Sequence, residues 1–299
     1  MRRSSLLFAA LFVSVVLPAT GQAPKGSLVI VGGGPRPREI GELFLKQAGG
    51  QGAKVLVLPM ASAEPAETGA ASAQDWNRMG ARATSLVITK ANADADSVVA
   101  AITSAGGIWF PGGVQSRIMD AIAGTRAERA LRDAYVRGAV IGGTSAGAAI
   151  MSPVMITGDE RRFGGDRPPS DSSQAFITIE MDNIVTTAGL GLLPNTIVDQ
   201  HFIRRRRHNR LISLVLEKPA SIGIGIDEAT ALIVRPDGKW EVAGNSAVII
   251  YDARNATISP NTPAIAGEGL RMHVLRRGAV FDPATGRAVL PGASVRARG

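Results

Sequence analysis

From Gly26 to about Glu228, short apolar runs rich in β-branched residues alternate with longer stretches whose apolar positions recur at helical spacing. The runs that read as strands are Ser27 to Val31, Lys54 to Leu58, Ser85 to Ile88, Gly107 to Phe110, Gly138 to Ile141, Thr196 to Val198 and Ser221 to Ile226. Helices fill most of the gaps. Asp94 to Ala105 and Ile203 to Glu217 are two of them, and a third follows Thr125, where Thr125 and Glu128 have the spacing of a capping box. This alternation predicts an α/β fold, a parallel sheet with helices on both faces.

Two stretches break the pattern. Residues 158–173, GDERRFGGDRPPSDSS, are dense in Gly, Pro, Ser and charge and predict a surface loop, placed where a substrate lid can sit. After Glu228, from about residue 229, the texture becomes all-β: ALIVRPDGKWEVAG turns at Pro236-Asp237-Gly238, and Ala247 to Tyr251, Met272 to Leu275 and Gly278 to Phe281 follow. This part predicts C-terminal hairpins that extend or cap the sheet.

The amino end reads differently again. Arg2 and Arg3 precede the apolar run Leu6 to Leu17, and small residues follow at Ala19 and Gly21, the arrangement of a secretory signal peptide over residues 1–21. The expected product is secreted or periplasmic, with no stable membrane anchor after cleavage. About 278 residues, 22–299, would then form a single α/β domain. The sequence has no cysteine. Disulfides, thiolate metal sites and a cysteine nucleophile are therefore excluded. No metal or organic cofactor is expected.

Composition narrows the partners. The formal net charge is +8, and much of the excess lies in Arg204 to Arg207 and Arg210. Anionic partners are favoured in general. With two tyrosines in the chain and no aromatic residue interleaved in the basic run beyond Phe202, a nucleic-acid surface is not supported.

The chemistry concentrates at residues 142–148, GGTSAGA, where Gly143 and Gly147 flank Ser145 in the Gly-x-Ser-x-Gly spacing of a nucleophile elbow. A serine on a tight strand-to-helix turn projects its hydroxyl from the sheet. The Ala146 N–H and the helix start then face a developing oxyanion. A second glycine pair, Gly112-Gly113, ends another strand, and its N–H groups can supply the other half of such a hole, with Gln115 toward substrate. The earlier Gly32-Gly33-Gly34 does not extend to a dinucleotide fingerprint, because the third glycine of that pattern would fall at Pro37.

A nucleophilic serine needs a base, and the chain has three histidines. His273 alternates with apolar neighbours on a late strand, the setting of a structural histidine. His208 sits inside the arginine run. His201 stands where the strand run NTIVDQ ends and a helix begins, the edge at which ligands gather in open α/β folds. Asp199, Asp227 and Glu228 are the candidate carboxylates to orient it. An esterase of the α/β-hydrolase type would instead place its acid between serine and histidine.

The strings GGTSAGAA, DQHF with its arginine series, and GIGIDEATAL, in that order, resemble cyanophycinases and their relatives, a serine-peptidase family with a flavodoxin-like, class I glutamine-amidotransferase-like fold. VIVGGG, LPMAS, FPGGVQSRI, GLGLLP and the closing HVL strand extend the similarity over nearly all of the expected mature chain. The resemblance implies Ser145 as nucleophile, His201 as general base, Glu228 as the third triad member, and the Gly113 and Ala146 amides as oxyanion donors. It implies a pocket lined by Gln115, Asp199, Gln200, Arg205, Arg207 and Arg210, whereas Arg204 and Arg206 match no motif position.

The implied substrate is cyanophycin, a poly-aspartate carrying arginine on each side-chain carboxyl, cut to β-Asp-Arg dipeptides by way of an acyl-enzyme. Arginines can clamp its carboxylates, while Asp199 or acidic residues of the 158–173 loop can receive its guanidinium groups. Where the family commonly has a polar residue this chain has Val114. A homodimer is implied as well. The alternatives are an exported Asp-X or isoaspartyl peptidase of the same fold and a non-catalytic polyanion-binding protein.

Overall fold

The computed structural model describes residues 23–163, 176–261 and 263–293. The expected leader and most of the 158–173 loop lie outside these residues. The first half of the chain runs β1 (Leu28–Val31), α1 (Arg38–Gln47), β2 (Lys54–Val57), α2 (Pro65–Arg78), β3 (Arg82–Ser85), α3 (Asp96–Ser104) and β4 (Gly107–Phe110). It continues with α4 (Gln115–Ile122), α5 (Arg126–Arg137), β5 (Val140–Thr144) and α6 (Ala146–Ala149). The middle holds β6 (Val154–Glu160), β7 (Ile184–Ala188), β8 (Thr196–Gln200), α7 (His208–Glu217) and β9 (Ile222–Ile226). Strands complete the described chain: β10 (Thr230–Val234), β11 (Trp240–Gly244), β12 (Val248–Asp252), β13 (Thr257–Asn261), β14 (Ala264–Glu268), β15 (Arg271–Leu275), β16 (Val280–Asp282) and β17 (Arg287–Val289).

The α/β class is as the pattern predicts, but the strands divide between two principal sheets. One has nine strands in the order β17-β16-β11-β10-β1-β5-β4-β2-β3, and the other has six in the order β15-β12-β9-β8-β6-β7. In the first, β1, β5, β4, β2 and β3 are parallel, and β10, β11, β16 and β17 add an antiparallel extension. In the second, β6, β8 and β9 are parallel. The C-terminal hairpins thus serve both sheets: β12 and β15 extend the second one beside β9.

Period-two alternation explains the layers. Val29 and Val31 face a cluster with Phe44 of α1 and Trp76 of α2, whereas Leu28 and Ile30 face the opposite side. On that side the core is continuous into the second sheet through Val198, Ile224, Ile226, Val248 and Ile250. The far face of the second sheet is closed by α7, which buries Leu211, Leu214 and Val215 against Ile197, Ile249 and Tyr251. Every residue of β1 and β9 is buried. No helix among the described residues is long and apolar enough to cross a membrane.

Several boundaries differ from the sequence expectation for identifiable reasons. β3 is Arg82–Ser85, not Ser85 to Ile88, because a polar edge strand pairs with β2 while Ile88, past the ladder, is buried in the core. Gly138 belongs to the α5 C-cap at φ 124°, and β5 instead runs on through Gly143 to Thr144. Residues 158–160 are strand rather than loop, and β7, the antiparallel partner of β6, is a short strand whose apolar part is only Ile184-Val185. α7 starts at His208 rather than Ile203, since the chain over 203–207 turns, with Arg206 at φ 52° and the Arg204 N–H donating to Asp227 Oδ1 at 2.9 Å. At α5 the Thr125 hydroxyl accepts from the Glu128 N–H at 3.4 Å, and the Glu128 carboxylate reaches back to the Gly124 N–H at 2.7 Å.

Candidate active site

Ser145 is the residue between β5 and α6, and the sequence forces it into an unusual backbone state, φ 53° and ψ −108°. A non-glycine residue there is strained by roughly 1–3 kcal/mol, a cost that packing must overcome. The flanking glycines are what packing requires: a Cβ on Gly147 would lie 2.2 Å from the Phe110 carbonyl oxygen, and one on Gly143 would lie 2.5 Å from the Gly147 carbonyl oxygen. The Ser145 N–H is held by the Val31 carbonyl at 3.0 Å. The side chain is thereby turned out of the sheet at its carboxyl edge.

His201, at φ 50°, follows β8, and Glu228 lies beyond β9, next to Ala229 at φ 53°. Ser145 Oγ lies 2.9 Å from His201 Nε2, and His201 Nδ1 lies 2.7 Å from Glu228 Oε1. An Nδ1–H donated to the carboxylate fixes the tautomer and leaves the Nε2 lone pair to accept the serine proton. The serine comes from the nine-stranded sheet, whereas histidine and glutamate leave strands of the six-stranded sheet. The site is therefore built across the joint between the two sheets.

Electrostatics suit a base. Burial lowers the His201 pKa below its ordinary value, and the hydrogen bond to Glu228 opposes this while the Arg205 and Arg207 charges add to the lowering. The imidazole is accordingly neutral at neutral pH and free to take a proton. Of the candidate carboxylates, Glu228 alone meets the imidazole: Asp227 accepts from the Arg204 N–H and, at 2.7 Å, from Ser246 Oγ. The other two histidines are structural. His208 Nδ1 lies 2.8 Å from the Tyr251 hydroxyl and its ring meets Phe202 edge-on, and His273 packs against Phe281 at 5.1 Å.

The geometry can be set beside known proteins. The family model for peptidase family S51 matches residues 28–241. A cyanophycinase of Nostoc sp. is 34% identical over 285 residues, covering 91% of this chain and 90% of that protein. This chain belongs to peptidase family S51. A cyanophycinase of Synechococcus elongatus is 32% identical over 270 residues, covering 86% of the chain and 79% of the relative. A crystal structure of a peptidase from an acI-B1 actinobacterium shares the fold, with a TM-score of 0.63 at 23% identity over 87% of this chain and 98% of that one. The chain is a serine-type peptidase.

Around the Ser145–His201–Glu228 contacts of this S51 peptidase, the remaining predicted residues take different places. Gly112 lies against Ser145, with a Cβ there only 3.4 Å from the serine Cβ, so the Gly112-Gly113 turn borders that residue. Ala146, the first residue of α6, has an N–H with no partner one turn back within its helix. Gln115 is buried, but its amide nitrogen donates to the Ile156 carbonyl at 2.7 Å and the Thr157 carbonyl at 3.0 Å. It ties α4 to β6 rather than directing those hydrogens toward a substrate.

Asp199 departs furthest from expectation. Arg210 Nε donates to Asp199 Oδ2 at 2.7 Å, Arg210 Nη2 contacts Oδ1, and Arg207 Nη1 lies 3.5 Å from Oδ1. Asp199 and Arg210 side chains are 1% and 2% exposed. The carboxylate expected to receive a guanidinium of the substrate already holds one of its own. Arg207 also donates to Gln200, through its backbone carbonyl at 2.8 Å and its side-chain oxygen. Burial, with Arg210 beside it, pushes the Arg207 pKa down to about 9, which leaves it charged at neutral pH. Arg205, by contrast, is exposed.

Two features escaped the sequence reading. Phe176, just past the segment outside the described residues, lays its ring 4.6 Å from the Arg210 guanidinium carbon. Gly33 and Gly34, discarded as a nucleotide signal, form the surface on which His201 and Glu228 rest, since a Cβ on either would strike those side chains at 2.3 Å and 2.9 Å. The glycine run was the available signal, with close approach as its meaning.

Proposed function

We propose that this peptidase hydrolyses cyanophycin to β-Asp-Arg dipeptides through an acyl-enzyme on Ser145. The unbroken Ser145–His201–Glu228 contact chain carries the reading, and the name of the relatives at 34% and 32% identity supplies the substrate. His201 Nε2 takes the Ser145 proton as Oγ attacks the amide carbonyl carbon. The oxyanion is received by the Gly113 and Ala146 N–H groups. The C–N bond breaks as the imidazolium returns its proton to the leaving amine, and water, deprotonated by the same imidazole, releases the acyl group. Glu228 stabilises the imidazolium in both halves.

The positive charge of Arg205 and Arg207 beside the imidazole suits a substrate that carries free carboxylates. The closed Asp199–Arg210 pair favours a second reading, a peptidase for short Asp-X or isoaspartyl peptides, because no guanidinium acceptor is left at Asp199. Insoluble cyanophycin and short Asp-containing peptides, incubated in parallel with the mature protein, separate the two. Release of β-Asp-Arg, identified by mass, supports the polymer. Turnover of the short peptides alone would assign the second reading. Export through the 1–21 leader and assembly as a homodimer belong to the same proposal.

A further inference from the structure

Arg36 has an environment that the catalytic reading leaves unexplained. Its guanidinium carbon lies 3.9 Å from the centre of the Trp76 ring and 5.0 Å from that of Trp109. Those two indoles are themselves buried and meet edge-on at 5.1 Å. A Cβ on Gly41 of α1 would lie 3.6 Å from Arg36 Nε, so the side chain runs in a slot between α1, α2 and β4. Burial lowers its pKa to about 10, with Asp75 opposing. A half-buried charged group thus lies over two aromatic faces, an arrangement whose favourable energy grows with the extent of desolvation.

Arg36 belongs to the loop between β1 and α1. Gly32, Gly33 and Gly34 have no side chain to anchor them, and Gly33 and Gly34 adopt φ of 110° and 69°. The same three residues stitch the site together. The Gly32 carbonyl accepts the His201 N–H at 2.6 Å, the Gly33 carbonyl accepts the Ala229 N–H at 2.9 Å, and the Gly32 N–H donates to the Thr230 carbonyl at 3.0 Å. Gly33 lies against the imidazole and Gly34 against Glu228. Pro35 and Pro37 restrict the backbone on either side of Arg36, so fixing its side chain fixes the glycine shelf.

We propose that Arg36 is a positioning residue, whose stacking on Trp76 and Trp109 locks the Gly32–Gly34 shelf that holds the His201–Glu228 pair in line with Ser145. It touches none of the reacting atoms. The inference rests on the catalytic reading of the triad, and its test separates the two. The parent protein, Arg36→Met, Arg36→Lys and Ser145→Ala are treated with a fluorophosphonate, and the labelling rate at saturation is measured apart from the concentration giving half that rate. The low-field proton resonance of His201 Nδ1–H is recorded alongside, assigned by its loss in His201→Ala.

Arg36→Met is expected to fold, with a thermal midpoint within a few degrees of the parent, and to lose about tenfold or more in saturating rate with an unchanged half-saturation concentration, as misplacement of reacting groups predicts. The His201 resonance should broaden or shift. Arg36→Lys, which keeps a cation over the indoles, should recover most of both. Failure of the parent to label at Ser145 would remove the catalytic reading while leaving the resonance to judge Arg36. A folded Arg36→Met with parental labelling and resonance overturns the inference, and so does an Arg36→Lys as impaired as Arg36→Met. An Arg36→Met chain that does not fold overturns it too, because the residue would then serve the fold as a whole.

Discussion

His201 and Glu228 leave neighbouring parallel strands, β8 and β9, and meet at 2.7 Å between Nδ1 and Oε1 just beyond the carboxyl edge. The pairing orients one imidazole nitrogen and frees the other for Ser145. Replacing Glu228 by Gln keeps the shape and removes the charge that stabilises the imidazolium. The expected loss in kcat is about 10³- to 10⁴-fold with little change in thermal midpoint, measured on whichever peptide substrate turns over.

The pH dependence follows from the charges around the imidazole. With His201 as the proposed base, kcat/KM should rise with pH through a pKa below the ordinary histidine value, the direction set by burial and by Arg205 and Arg207. Removing the exposed Arg205 charge as Arg205→Ala takes away one positive charge that disfavours the imidazolium. The pKa then rises and the acidic limb of the profile moves to higher pH. A limb that stays put, or moves down, contradicts this assignment.

The Asp199–Arg210 pair predicts a stability effect. Both side chains are buried and doubly linked, so Arg210→Met leaves the carboxylate, among the described residues, with Arg207 at 3.5 Å and the Gln200 N–H as partners. Unfolding in urea should show a loss of about 3 kcal/mol, the low end for breaking a buried pair, because Arg207 compensates in part. Removing both charges as Asp199→Leu with Arg210→Met should recover much of that loss.

Legibility followed local density of information. Ser145 was readable because an elbow is a contiguous pattern, and His201 because there were so few histidines to choose from. Glu228 needed the family resemblance, since strand ends alone left Asp199 and Asp227 as rivals; the structure engages Asp199 with Arg210 and Asp227 with Ser246. The division into two sheets was not readable. β8 and β9 are apolar runs of the same kind as β1 and β5, and periodicity says that a strand is buried but not which sheet receives it. The polar β3 carries no apolar run, β7, IVTTA, has only the pair Ile184-Val185 before its threonines, and the glycine shelf makes sense only once His201 lies on it.

The elbow glycines give a sharper test of the local geometry. Gly147→Ala would place a methyl group 2.2 Å from the Phe110 carbonyl oxygen, which is backbone of β4 and has little freedom to retreat. The variant is expected to lose several kcal/mol of stability or to be insoluble, as for other changes that overpack a buried site. A soluble variant with the parental thermal midpoint would show that the turn is looser than described.

In the proposed mechanism His201 makes Ser145 nucleophilic, a dependence that intact-protein mass spectrometry after fluorophosphonate treatment reads out. A single adduct mapping to Ser145, formed about a thousandfold or more slowly in His201→Ala while that variant keeps the parental fold, is the predicted result. Labelling at another residue, or a rate at Ser145 unaffected by loss of the imidazole, would contradict it.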